Sequence, residues 1–180
     1  MGLYAMTGGA TGIGQAIRNR LRAEGNQVIV VDLKDADIVA DLSTADGRRA
    51  AIDALNAMAD DGLDGLVTCA GVGANVPDQT LITQVNYFGT IELIEGLRER
   101  LEMKRGSVVL VSSNSAPMNN KPEFVDLLLN GDKAGALALA ETLDAQEVYS
   151  GTKKAVACWM RGKSAEYAAA GVRMNAVAPG

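Results

Sequence analysis

Tyr149 and Lys153 stand four residues apart in Tyr149-Ser150-Gly151-Thr152-Lys153, a spacing that puts both side chains on one face of a helix. A phenol with an ordinary pKa of about 10 is a poor base at neutral pH. An adjacent ammonium favours the phenolate, so the pair reads as a general acid/base with its electrostatic support. Upstream, Ser107-Val108-Val109-Leu110-Val111-Ser112-Ser113 reads as an apolar strand ending in two hydroxyls, at the C-terminal edge where open α/β sheets bind ligands. The chain has no histidine, which removes the Ser-His-Asp triad, His-based zinc sites and any histidine base. Proton transfer must use Tyr, Lys, a carboxylate or water.

A second constellation opens the chain. Thr7-Gly8-Gly9-Ala10-Thr11-Gly12-Ile13-Gly14 follows an apolar strand and leads at once into a helix pattern. Glycines there let the backbone approach a pyrophosphate, which the free N–H groups of the helix N-terminus favour. Asp32 closes the second strand, where a carboxylate accepts the adenine ribose hydroxyls and repels a 2′-phosphate, so the expected cofactor is NAD rather than NADP. Lys34 is the one cation nearby. Arg161-Gly162-Lys163-Ser164 is not a phosphate loop: Ala157 stands where its first glycine belongs, and the segment lies inside the helix begun near Tyr149.

The elements that must hold these groups alternate. Apolar runs fall at Leu3 to Met6, Val28 to Val31, Leu66 to Cys69, Val108 to Val111 and Val172 to Val177, with a weaker one at Ile38 to Ala40. Helix-period stretches separate them, such as Ile13-Ala16-Ile17-Leu21 and Ile52-Leu55-Met58, the latter with Ser43 as its expected cap and Asp46 at the third position. Strand–helix alternation calls for a Rossmann-type α/β fold, a doubly wound parallel sheet with helices on both faces. Near-continuous apolar strands agree with it. Residues 114–148 break the rhythm with two Leu/Ala-rich stretches around Asn130-Gly131-Asp132, read as a helical insertion of two short helices. No linker or repeat divides residues 1–180, which read as one cofactor-binding and catalytic domain.

In this order the motifs resemble the short-chain dehydrogenase/reductase family over essentially the whole chain. The turn is its T-G-x-x-x-G-x-G variant. Asp41-Leu42-Ser43-Thr44, Val85-Asn86-Tyr87-Phe88-Gly89 and the insertion resemble in particular its bacterial hydroxysteroid dehydrogenase and carbonyl reductase branch. The resemblance implies an oxidoreductase that interconverts a secondary alcohol and a ketone. Its catalytic set is Asn86, Ser113 (with Ser112 as the fallback), Tyr149 and Lys153. Ser113 would bond the substrate oxygen, Tyr149 move its proton, Lys153 orient the ribose and hold down the phenol's pKa, and Asn86 hold a water that links the lysine to solvent. The implied cofactor contacts are Gly8, Thr11, Gly12, Ile13, Gly14, Asp32, Leu33, Asp41, Leu42, Cys69, Ala70, Gly71, Tyr149, Lys153, Pro179 and Gly180. Thr11 is not basic, although NADP-preferring relatives often carry Arg or Lys there. Enoyl reduction fits less well, since that branch needs a lysine where Val156 stands. A ketoacyl or small-alcohol reductase would use the same four residues. A non-catalytic NAD-binding regulator would need the glycine turn but neither Tyr149 nor Lys153.

Two departures from the family pattern are visible. Thr68-Cys69-Ala70-Gly71 replaces Asn-Asn-Ala-Gly and loses an amide that braces the sheet, and nothing after Gly180 corresponds to the family's substrate-covering loop, following helix and final strand. The insertion is expected to flank the pocket mouth or to alter the subunit interface of a homodimer or homotetramer. The two cysteines are distant in sequence and form no Cys-x-x-Cys pair, so their thiols are assigned no chemistry and no metal is expected. A net charge of −5 without a basic cluster argues against nucleic acid. Strand-sized apolar runs and an N-terminus without signal-peptide features point to a cytoplasmic protein acting on a small molecule, away from membranes.

Overall fold

A computed structural model describes residues 1–180. The chain alternates β1 (Leu3–Thr7), α1 (Gly12–Ala23), β2 (Gln27–Asp32), β3 (Ile38–Val39), α2 (Ala45–Met58) and β4 (Gly65–Thr68). It continues through α3 (Gln79–Thr83), a π-helical turn (Gln84–Phe88), α4 (Gly89–Gly96), α5 (Arg98–Lys104), β5 (Ser107–Val111), α6 (Pro122–Leu129), α7 (Lys133–Ala140), α8 (Ala145–Ala169) and β6 (Arg173–Val177). The six strands form one parallel sheet in the order β3-β2-β1-β4-β5-β6, so the chain reverses direction across the sheet between β1 and β4. That switch point opens a crevice at the C-terminal strand ends.

Strand periodicity sorts the core. Ala5, Ile29, Val31, Leu66, Val108 and Leu110 point to one face, where they join residues of α2, α4 and α8 in a cluster of 32 buried side chains. Their sequence neighbours Met6, Val28, Val30 and Val67 point to the other and meet Ile17 and Leu21 of α1. The apolar strands suggest burial on both faces throughout. On the α1 side, however, Val109 and Val111 of β5 are only half-buried and Val177 of β6 is exposed, because α1 packs over β1 and β2 and no other helix reaches that half of the sheet.

One detail differs from expectation. Helix α2 is capped by Thr44, whose Oγ1 accepts from Gly47 N at 3.0 Å, and not by Ser43. The Ser43 N–H is taken by Asp41 Oδ1 at 2.9 Å, a local turn that delays the helix by one residue. The insertion helices α6 and α7 lie behind α8, against α3 and the π-helical turn. Phe124 is fully buried and packs so closely on α8 that a Cβ at Gly151 would stand 2.7 Å from its ring. No residue between 114 and 148 lines the cleft.

Candidate active site

The glycine turn is built by exclusion of side chains. Gly8, at φ +72°, would bring a Cβ to 2.5 Å from Ala70 N, so only glycine lets the β1 and β4 loops touch. A Cβ on Gly14 would stand 1.8 Å from Gly8 O, which fixes how closely α1 meets the turn. At the start of α1, Thr11 makes no side-chain cap and the first turn carries no acidic residue. Its first amides have no intrahelical partner and offer an uncontested anion site. A dinucleotide fits this cradle.

Asp32 joins the turn to β2. Its Oδ2 accepts from Ala10 N at 2.9 Å and its Oδ1 from Leu33 N at 2.7 Å. An ionised carboxylate has roughly four acceptor positions, so lone pairs remain for ribose hydroxyls. Lys34 does not line the cleft. Leu42 does, and its carbonyl is held by Arg48 Nη1 at 2.9 Å. Arg48 is fully buried and also bonds Gln84 Oε1 at 3.2 Å and Glu92 Oε2 at 2.5 Å, tying this part of the cleft wall to the π-helical turn.

At the other end, α8 presents Tyr149 and Lys153. An Asp144 cap starts this helix in a capping box with Glu147. The Lys153 ammonium lies 5.9 Å from the Tyr149 ring centroid and donates to Val111 O at 2.9 Å. Burial pulls its pKa down to about 8, opposed by the nearby Cys69 thiol. Burial in turn pushes the Cys69 thiol up, which suits a residue without chemistry of its own. Its neighbour Thr68 has a buried hydroxyl with no hydrogen-bond partner.

The two strand-end serines have diverged. Ser112 Oγ donates to Lys153 O at 2.8 Å and is committed to holding α8. Ser113 Oγ receives Ser115 Oγ at 3.0 Å and Ser115 N at 3.2 Å, and donates to Asn114 Oδ1 at 3.5 Å. Asn86 is fully buried in the π-helical turn rather than an ordinary helix. Its Oδ1 accepts from Val72 N at 2.8 Å and its Nδ2 donates to Val72 O at 3.0 Å. The amide thus clamps the loop after β4, one layer behind the cleft wall and next to Lys153.

These groups converge on one cleft of about 460 Å³. Of the residues expected from sequence, Gly8, Thr11, Ile13, Gly14, Asp32, Leu33, Asp41, Leu42, Cys69, Ala70, Gly71, Ser113 and its fallback Ser112, Tyr149, Lys153 and Pro179 line it. Gly12, Asn86 and Gly180 do not. Gly180 packs beside the Asn114 amide. Val31 and Val111, which also line the cleft, were available from strand register, since each stands one residue before a predicted site. Leu81 and Val85 reach it from α3 and the π-helical turn with no local signal in the sequence.

The family model for short chain dehydrogenases matches residues 4–125. The chain is 37% identical to a 3-alpha-hydroxysteroid dehydrogenase/carbonyl reductase of Comamonas testosteroni, over 100% of this chain and 72% of that protein. It is 29% identical to sorbitol-6-phosphate 2-dehydrogenase of Klebsiella pneumoniae, over 97% and 67%. The 3-alpha-hydroxysteroid dehydrogenase of Pseudomonas sp. B-0831, solved with NADH, superposes with a TM-score of 0.96 at 42% identity, covering 99% of this chain and 72% of that one. The chain belongs to the short-chain dehydrogenase family, and is thereby an oxidoreductase acting on CH–OH groups.

Proposed function

We propose that this chain is an NAD-dependent dehydrogenase that interconverts a secondary alcohol and its ketone, with a hydroxysteroid or similar cyclic substrate. The observation that carries the reading is one cleft with the glycine turn and Asp32 at one end and Ser113, Tyr149 and Lys153 at the other. When bound, the nicotinamide supplies the hydride acceptor or donor. The free lone pairs and negative charge of Asp32 favour a ribose 2′-hydroxyl over a 2′-phosphate, hence NAD. Ser113 holds the substrate oxygen. Tyr149 takes the hydroxyl proton in oxidation and returns it in reduction. The Lys153 ammonium supports negative charge on the phenol oxygen as that proton moves, while Asn86 keeps the loop beside it in place.

The steroid preference draws on the Comamonas and Pseudomonas relatives, and the Klebsiella relative makes a small alcohol the second reading. The reading extends to a cytoplasmic homodimer or homotetramer. Absorbance of NADH, followed with NAD or NADP and a panel of hydroxysteroids, cyclic alcohols and polyols, tests the proposal. NAD-dependent turnover with a cyclic secondary alcohol is the expected result. Turnover confined to polyols would move the substrate class, and NAD binding without turnover of any of them would favour a regulator.

A further inference from the structure

Ser115 appears in no motif, yet it is buried to 5% exposure and both its hydroxyl and its backbone N–H point at Ser113. A serine hydroxyl carries one proton and two lone pairs. Ser115 Oγ at 3.0 Å and Ser115 N at 3.2 Å occupy both lone pairs of Ser113. The Ser113 proton is left with Asn114 Oδ1 at 3.5 Å, a contact at the limit of hydrogen bonding that a nearer oxygen displaces.

We propose that Ser115 is a positioning residue that makes Ser113 a donor only. The inference rests on the reading of Ser113 as the group that meets the substrate oxygen. An alcohol entering such a site can accept from Ser113 but cannot donate to it, so its own proton has one destination, the Tyr149 oxygen. Without the Ser115 hydroxyl, Ser113 regains a lone pair. The alcohol then acquires a second, unproductive pose in which it donates to Ser113 and turns its proton away from Tyr149. A ketone has no proton to misplace, so its reduction is spared.

The asymmetry gives a signature that simple loosening of the strand end does not. In Ser115→Ala, kcat and KM for a cyclic secondary alcohol should fall together by roughly five- to tenfold, the value of one extra hydrogen bond to the unproductive pose. Their ratio should stay nearly constant, and kcat for the corresponding ketone should hold. Single-turnover mixing with NAD and saturating alcohol reads the chemical step directly, and fluorescence titration with NADH checks that the cofactor cleft is intact. Ser115→Cys, close in volume and a weak donor, should behave in the same way, and Ser115→Thr should restore the native values.

Equal losses of kcat/KM in both directions would overturn the inference, as would native kinetics in both Ser115→Ala and Ser115→Cys. It would also fail if Ser115→Ala lowered the alcohol rate as much in a Ser113→Ala background as in the native one. The Ser113→Ala variant alone separates this from the underlying reading. Native turnover there would remove Ser113 from the site, and the role of Ser115 with it.

Discussion

At the glycine turn the decisive contacts run mainly through the backbone: Gly8 N reaches Val31 O at 2.9 Å and Gly14 closes on Gly8 O, with the Asp32 carboxylate on Ala10 N as the side-chain contribution. At the β5–α8 end they run through side chains: Ser112 to Lys153 O, Ser115 to Ser113, Asn86 to Val72, and the Lys153 ammonium beside Tyr149. A backbone cradle is defined by atoms that must be absent, so it fails when a methyl group is added. A side-chain constellation is defined by single hydroxyls and charges, so it fails when one atom is removed. Loss of cofactor affinity and loss of turnover should therefore separate cleanly between the two ends.

The largest separation is expected for Tyr149→Phe, which deletes one oxygen. Turnover should fall by about 10²- to 10⁴-fold, the usual contribution of a general acid/base, with the NADH dissociation constant changed by less than about twofold. A parallel loss of NADH affinity would break the division. The reverse case is Gly14→Ala, whose Cβ has 1.8 Å of room before Gly8 O. Displacement of α1 should weaken NADH binding by roughly a hundredfold, in line with overpacking costs of up to about 3 kcal/mol, with part of the damage visible as a lower Tm.

Lys153 sharpens the comparison because it couples chemistry to stability. Its pKa is drawn down to about 8 by burial, so the unfolded chain binds its proton more readily than the folded one. Stability then rises with pH from about 8 up to the ordinary lysine range near ~10.4. Lys153→Met should abolish turnover yet raise the Tm of the cofactor-free protein at neutral pH, by roughly 5 °C. The gap between mutant and native protein should narrow as pH climbs through that window. A lower Tm for the mutant would mean that the bond to Val111 O outweighs desolvation. The smallest effect belongs to Asp32→Asn, which removes the charge at the β2 end together with one of the two acceptors that hold Ala10 N and Leu33 N. The preference for NAD over NADP in kcat/KM should fall by roughly five- to tenfold; no change would reassign selectivity to Thr11 or Leu33.

Much of this was legible in order along the chain. Near-continuous apolar runs of strand length placed all six strands, because strands of a parallel sheet covered on both faces are apolar at successive positions. The Gly8 to Gly14 spacing, Asp32 at a strand end, and Tyr149 four residues before Lys153 were likewise local, since a turn or a helical repeat converts sequence distance directly into spatial distance. What sequence left open lay between segments. Both Ser112 and Ser113 line the cleft, and which hydroxyl is free to meet a ligand depends on Lys153 O, 41 residues from Ser112. The start of α2 moved from Ser43 to Thr44 because Asp41 competes for the Ser43 amide. The clamp formed by Asn86, the buried Arg48 beneath Leu42, the docking of α6 on Gly151 and the grip of Ser115 on Ser113 depend on packing and strand-end geometry that residue spacing alone does not encode. Sequence by itself determined which groups could do chemistry and in what order they come. Only the folded chain decided which of them are free to meet a ligand, because a hydroxyl or amide already bonded to its neighbours has no lone pair or proton left to offer.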